Sequence, residues 1–305
     1  MNSSYQEIIK KHLALYKENT LGIKERGEWK NNRKCYPHIL PEHQCMRNLI
    51  DAGFHKELCS MALYLGNKLH SGFHHLKSSQ ALAINLFGPM KELNDFSLIC
   101  DKNKVNLGIK NADTCKFEHT EKDSTNFDFY IESDAKKYYF ELKYSEKTIA
   151  TKSGSKHDDE RWEEYFKVPM TTILKRSSDA FKLFFSQYQL WRNIIRVANN
   201  DTVTAFVFPE AREDLEAEVK DAIDKVKPEY ASRIRIIHID DICADGEKDI
   251  RFREHYAEFR SKYILPLEEY QCGIAHAVGG SVSKKGIGSP CSSRYYTVIL
   301  RKEFI

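Results

Sequence analysis

The chain has 305 residues, 41% of them hydrophobic and 30% charged, with a formal net charge of only +3. That length buries one large core or two small ones, and the composition excludes a fibrous or disordered chain. No run of about 18 apolar residues occurs, which argues against a membrane-spanning helix. So small a net charge means that a polyanion would be held by a local patch rather than by the whole surface.

The opening "MNSSYQEIIKKHLALYKEN" lacks the sections of a signal peptide. It predicts an amphipathic helix with Ser4 and Glu7 as a capping box and Ile8, Ile9, Leu13 and Tyr16 as the buried stripe. Eight cysteines without a secretion signal argue for reduced thiols in the cytoplasm. Residues 22–60 are basic and turn-rich and yield no assigned element. They contain Cys35, His38, His43 and Cys45, with His55 and Cys59 beyond, in a spacing that matches no regular zinc finger. Whether these bind zinc stays open.

Residues 76–90, "LKSSQALAINLFGPM", predict a short apolar helix entered through Ser78 or Ser79 and stopped by Gly88-Pro89. A strand is expected near "FSLIC", then two more over 126–132 and 137–144, close enough for a hairpin. Residues 145–170 predict a mobile loop with one short helix. A long helix is expected from Ser178 to about Val197, with Phe181, Phe184, Phe185, Tyr188 and Ile195 on its core side. The run "TVTAFVFPE" suits a strand buried on both faces. With the helix 212–226 and the strand 233–242 it makes a β-α-β unit, whose strands should be parallel. A further helix is expected over 249–263, and the remainder predicts a Gly/Ser-rich linker and an edge strand. The division expected is an N-terminal helical extension over 1–75, a core over 76–265 and a tail over 266–305.

The hairpin carries the chemistry. Strand alternation puts Asp128 and Tyr130 on one face, and Tyr139, Glu141 and Lys143 on one face of the next strand. A turn centred between Asp134 and Ala135 sets Asp128 opposite Glu141, where directly opposed Cβ atoms lie about 4.5–5.5 Å apart. Two carboxylates about 5 Å apart repel by roughly 3 kcal/mol at an effective dielectric near 20. A divalent cation removes that repulsion, and such an oxygen set suits Mg²⁺, with Mn²⁺ as an alternative. Lys143 can steer a water or stabilise charge building on a phosphate, so the three are the minimum set for metal-assisted phosphodiester hydrolysis.

"FDFYI" followed by "FELK" resembles the PD-(D/E)xK nuclease superfamily. "SSQALAINLFGPM", "YPHILPE" and "FSQYQLWRN" resemble a group of bacterial restriction-endonuclease-like proteins, over roughly 20–265. The resemblance implies an α/β fold, a mixed central sheet flanked by helices in the order α-β-β-β-α-β. It implies Asp128 and Glu141 as metal ligands and Lys143 as the catalytic lysine. Asn126-Phe127 replaces the motif's proline, and the first core helix offers Gln80 and Asn85 where many members carry a glutamate. Either amide could orient Asp128 or hold a metal-bound water, and Glu118 or Glu121 could supply a third carboxylate.

On the long helix, Lys182, Gln189, Arg192 and Arg196 are spaced 7, 3 and 4 apart and would form one stripe. Such a basic stripe suits contact of Lys182, Arg192 and Arg196 with a phosphate backbone, and the resemblance suggests Gln189 or Gln187 near the active site. The function expected is a Mg²⁺-dependent, cytoplasmic nuclease that hydrolyses DNA phosphodiester bonds and resembles restriction endonucleases. The alternatives are an inactive nucleic-acid-binding protein on the same fold and a nuclease acting on RNA. The partner expected is DNA, without a membrane, and a homodimer is a candidate that the sequence does not decide.

Overall fold

A computed structural model describes residues 2–151 and 158–265, the side chains of 2–4 and 158 excepted. The expected C-terminal linker and edge strand lie outside the described residues.

Helix α1 (Asn2–Asn19) buries Tyr5, Ile9, Leu13 and Tyr16, three to four residues apart, as an amphipathic helix must. It begins at Asn2, so Ser4 lies inside it and the expected capping box is not at its start. Ile8 is only half-buried. The unassigned stretch folds into a small hairpin, β1 (Gly27–Trp29) with β2 (Lys34–Tyr36), and then helix α2 (His55–Tyr64).

Helix α3 (Ser79–Leu93) is capped by the Ser78 side chain, which accepts from the Ala81 N–H. The Gly88-Pro89 stop expected from the sequence does not occur, and the helix continues through Pro89. A mid-helix proline leaves one carbonyl without its donor. Here that carbonyl belongs to Asn85, and His255 Nε2 takes it at 2.7 Å, while Tyr256 OH donates to the next one, Leu86 O, at 2.7 Å. Burial pushes His255 down to about 4, so the ring is neutral and donates from Nε2. Tertiary partners therefore stabilise what the local sequence disfavours.

Strands β3 (Thr114–Thr120), β4 (Asn126–Ser133) and β5 (Lys136–Leu142) form an antiparallel meander. Strands β6 (Thr202–Phe208) and β7 (Ile234–His238) extend it in parallel, giving the order β3-β4-β5-β6-β7. Between β5 and β6 come α4 (Asp158–Arg161), a π-helical turn (Trp162–Phe166), α5 (Lys167–Ile173), α6 (Ala180–Ser186) and α7 (Tyr188–Ile194). Helix α8 (Glu213–Ile223) and the short α9 (Pro228–Ala231) connect β6 to β7, followed by α10 (Ile239–Gly246) and α11 (Arg253–Tyr263). Phe129, Phe140, Leu142 and Val207 pack one sheet face against α1, α3, α10 and α11. Phe206, Phe208 and Ile236 pack the other against α5 to α8. The result is a three-layer mixed α/β fold. No helix among the described residues is long and apolar enough to cross a membrane.

Four expectations need correction. "FSLIC" is not a strand: Phe96 and Ile99 are buried from a loop, and only Cys100 makes an isolated bridge, to Asn106. The third strand of the meander is β3, whose "TCKFEHT" is half-exposed and charged because it lies at the sheet edge. The described part of 145–170 is largely helical, because Trp162, Phe166 and Met170 enter the second core cluster. The long helix breaks at Gln187 (φ −131°, ψ 45°), and the strand expected to reach residue 242 ends at His238, where α10 begins.

At Gly246 a Cβ would meet the Tyr256 ring at 2.1 Å, and that ring is anchored through its hydroxyl. Gly246→Ala should therefore destabilise the fold by about 1–3 kcal/mol, an overpacking cost read from urea midpoints at unchanged m-value.

Candidate active site

The tip of the β4–β5 hairpin is Asp134-Ala135, with φ of 49° and 60°, the left-handed pair that a two-residue hairpin turn requires. It sets the register from Ser133↔Lys136 to Phe129↔Phe140, as the sequence predicted. Asp128 and Glu141 form the next position, and there the paired ladder ends. Asp128 Oδ2 accepts the Leu142 N–H at 2.6 Å. Lys143 Nζ donates to Glu141 Oε1 at 2.7 Å, and Gln189 Nε2, from α7, donates to the same oxygen at 2.7 Å. Thr151 Oγ1 holds the other end of the Gln189 amide at 3.2 Å. Asp128, Glu141, Lys143 and Gln189 are thus brought together.

Glu141 and Lys143 are buried. Burial, and then the charge of Glu141, raise the Asp128 pKa well above the usual carboxylate range; Glu118 adds to this, and Lys143 and the Leu142 N–H oppose it. Burial lowers the proton affinity of Lys143, but Glu141, Glu146 and Asp128 outweigh it and hold the ammonium charged. Among the described residues, Asp128 Oδ1 and Glu141 Oε2 take no hydrogen bond.

Of the two further carboxylates named from the sequence, Glu118 is the one whose charge reaches Asp128, although it does not join Asp128 and Glu141 in a metal-binding set. Continuing the β3–β4 register between Phe117↔Phe129 and His119↔Phe127 sets Glu118 opposite Asp128. Glu118 is buried and sits at φ 51°, a left-handed position that costs a non-glycine residue free energy. Gln80 Nε2 donates to its Oε1 at 2.7 Å, and Asn126 Nδ2 donates to its Oε2. Gln80 also bonds Lys68 O (2.9 Å) and accepts from His70 N–H (2.8 Å), so it positions Glu118 rather than Asp128. Glu121 is turned elsewhere. His119, against the cost of burial and with help from Tyr139, lowers it to about 2.

Asn85 is absent from this site. It bonds Ile50 N–H (2.8 Å), Asn48 O (3.0 Å) and Tyr263 OH (2.8 Å) on the far side of α3. Gln187 accepts from Trp191 Nε1 at 3.1 Å. The expected basic stripe is broken with the helix. Lys182 is exposed on α6, whereas Arg196 is ion-paired to Asp123, bonded to Thr125 and lies over the Phe127 ring. Arg192 lies over Tyr188, its Nε buried without a hydrogen-bond partner. Among the described residues no three His, Cys, Asp or Glu side chains gather into a set able to hold a metal ion, the group around Cys35 and His38 included. The six described cysteines are all free.

A family model described as restriction endonuclease associating with ARP matches residues 10–264. The chain belongs to this family. No curated protein and no solved structure matches it. The mixed five-stranded sheet flanked by helices is the α/β arrangement of restriction-endonuclease-like proteins, which makes a nuclease-like function the coarse reading for this member. Within the family framework, Glu118 is the residue that sequence reasoning could not single out. Its only sequence signal was proximity to the "FDFYI" strand, and the register of β3 was needed to choose it over Glu121.

Proposed function

We propose that this protein hydrolyses DNA phosphodiester bonds with Mg²⁺, or Mn²⁺, held by Asp128 and Glu141. The observation that carries this is the convergence of Asp128, Glu141 and Lys143 at the open end of the β4–β5 ladder, with Lys143 and Gln189 both donating to one Glu141 oxygen. Holding half-buried Asp128 beside buried Glu141 without a cation is costly, and the fit of the site to a divalent ion is the relief of that cost. Each carboxylate has one oxygen without a hydrogen bond among the described residues, and hard oxygen donors suit Mg²⁺. Only two acids contribute, so water, backbone carbonyls and substrate would complete the coordination. When bound, the ion would supply Lewis-acid polarisation of a phosphate oxygen.

The chain's own residues do the rest. Lys143, kept charged by its carboxylate neighbours, donates to a phosphate oxygen as negative charge builds there. A charged ammonium has no lone pair, so it orients the attacking water rather than removing its proton. Gln189 fixes the Glu141 oxygen that it shares with Lys143, which leaves the other oxygen as the one that would hold the cation. Gln80 and Asn126 hold Glu118 opposite Asp128. We place this activity in the cytoplasm, consistent with free thiols, and cutting both strands of a duplex would take a second copy of the chain.

The test is cleavage of plasmid DNA and of circular single-stranded DNA with Mg²⁺, Mn²⁺ or EDTA by the wild type, Asp128→Ala and Lys143→Ala. Metal-dependent nicking lost in both variants is expected. Cleavage that survives both substitutions at wild-type rate removes this mechanism. Gln189→Ala should be milder, cutting the rate about 10- to 100-fold, as loss of an outer partner of a metal ligand typically does.

A further inference from the structure

A groove lies between α2 and the outer edge of β3. It encloses about 1120 Å³, and Glu118 is in its wall. Strand β4, which carries Asp128, pairs with β3, so the groove wall lies one strand away from the proposed cation ligand.

Edge strands ordinarily expose carbonyls that invite another strand. Two of the β3 carbonyls are already taken by lysines: Lys91 Nζ donates to Cys115 O at 3.1 Å and Lys68 Nζ to Glu118 O at 2.8 Å. An ammonium has three donors, so each of these lysines keeps hydrogens for a further acceptor while its position is fixed by the edge. Lys56 and Lys116, both exposed, add charge at the rim. The carboxylates Glu57 and Glu92 also line the groove, but Glu118 already has Gln80 and Asn126 as donors. The occupant this fits is an anion with repeated acceptors, not a peptide strand, whose backbone would find the edge carbonyls occupied.

At the end of α2, Tyr64 is 92% exposed and lines the same groove. A ring presented to solvent beside fixed cations is the combination that binds unpaired bases together with their phosphates. We propose that this groove is the track for a single strand of nucleic acid, with Lys56, Lys68, Lys91 and Lys116 on the phosphates and Tyr64 under a base. This rests on the nuclease reading above and adds the strandedness of the substrate and the route by which it reaches Glu118.

The experiment measures binding of a fluorescein-labelled single-stranded oligonucleotide to the full chain in EDTA, by anisotropy, over a range of salt. The variants are Lys56→Glu with Lys116→Glu, and Tyr64→Ala, all at exposed positions and checked for an unchanged melting transition. The double reversal should weaken binding at least about tenfold and make the salt slope shallower by about 1.4, two phosphate contacts at roughly 0.7 each. Tyr64→Ala should weaken it about tenfold. Wild-type affinity and slope in both variants overturn the track. Tighter binding of the matching duplex, with Tyr64→Ala silent, overturns the single-strand assignment. Hydrolysis of a small chromogenic phosphodiester, which needs the carboxylates but not the groove, is scored in parallel. Variants that lose the oligonucleotide and keep the small diester support the track. A wild type that binds through these residues yet hydrolyses neither substrate removes the nuclease reading and leaves the groove standing.

Discussion

Asp128→Asn should abolish metal-dependent cleavage, by about a thousandfold or more, while making the protein in EDTA more stable than the wild type. The first half follows from losing a ligand to the ion that carries several kcal/mol of transition-state stabilisation. The second follows from the direction of the Asp128 pKa. Its folded value is raised, by burial first and Glu141 second, above the roughly 3.9 of an unfolded aspartate. The sign is therefore fixed. Its favourable contribution is fully present below the unfolded value and is lost as pH rises through the folded one, so the carboxyl weighs against the fold increasingly toward high pH. Asparagine removes that weight and can still accept the Leu142 N–H. A gain of about 1–2 kcal/mol, a few degrees in melting midpoint, is expected in EDTA. Saturating Mg²⁺ should reverse the order, since only the wild type gains binding energy, about 2.7 kcal/mol at a hundredfold excess over Kd. Calorimetric melts of both proteins, with and without Mg²⁺, at two pH values give all four comparisons. A wild type indifferent to Mg²⁺ and no less stable than the variant in EDTA counts against a cation at this position.

Asn85→Leu should produce the opposite profile, a large loss of stability with chemistry at the carboxylates intact in the molecules that remain folded. The amide bonds Ile50 N–H and Asn48 O, in the segment before α2, and Tyr263 OH on α11, so it ties both to α3. Leucine fills the volume but leaves a backbone donor and a tyrosine hydroxyl without partners. Each buried unsatisfied group costs about 1–3 kcal/mol, so about 3–5 kcal/mol in total, or a fall of about 10 °C in melting midpoint, is expected. The neighbouring Lys262 worsens the case. Burial lowers it to about 7, and it donates to Asn48 Oδ1 at 2.8 Å, in the network that Asn85 braces. Specific activity per folded molecule, measured below the midpoint, should remain within about twofold of wild type. A collapse in that value at normal stability would return Asn85 to the active site.

These two residues show how much was legible beforehand. Asp128, Glu141 and Lys143 could be placed on one face because strand alternation has a period of two and a two-residue turn fixes register locally. Gln189 could be named only through resemblance, since its approach to Glu141 depends on how α7 crosses the sheet. Gln80 and Asn85 could not be told apart. Both are amides buried on α3, and only the partners across each face separate the one holding Glu118 from the one holding the α11 junction. The basic stripe failed because it assumed an unbroken helix through Gln187, and Arg196 turned out to be committed to Asp123.

The sequence by itself determined the hairpin, its register, the apolar parallel strands and the acids that meet at its open end, because each depends on periodicity or on a turn within a few residues. The tertiary structure alone decided that α3 runs through Pro89, that β3 rather than residues 96–100 completes the meander, and that Glu118 rather than Glu121 stands beside Asp128. Those outcomes depend on donors and packing surfaces far away in the chain: His255 for the carbonyl that Pro89 leaves free, Lys68 and Lys91 for the β3 edge, Gln80 for Glu118. Local propensity contributes at most a few kcal/mol at such points, and satisfying a buried polar group is worth as much or more.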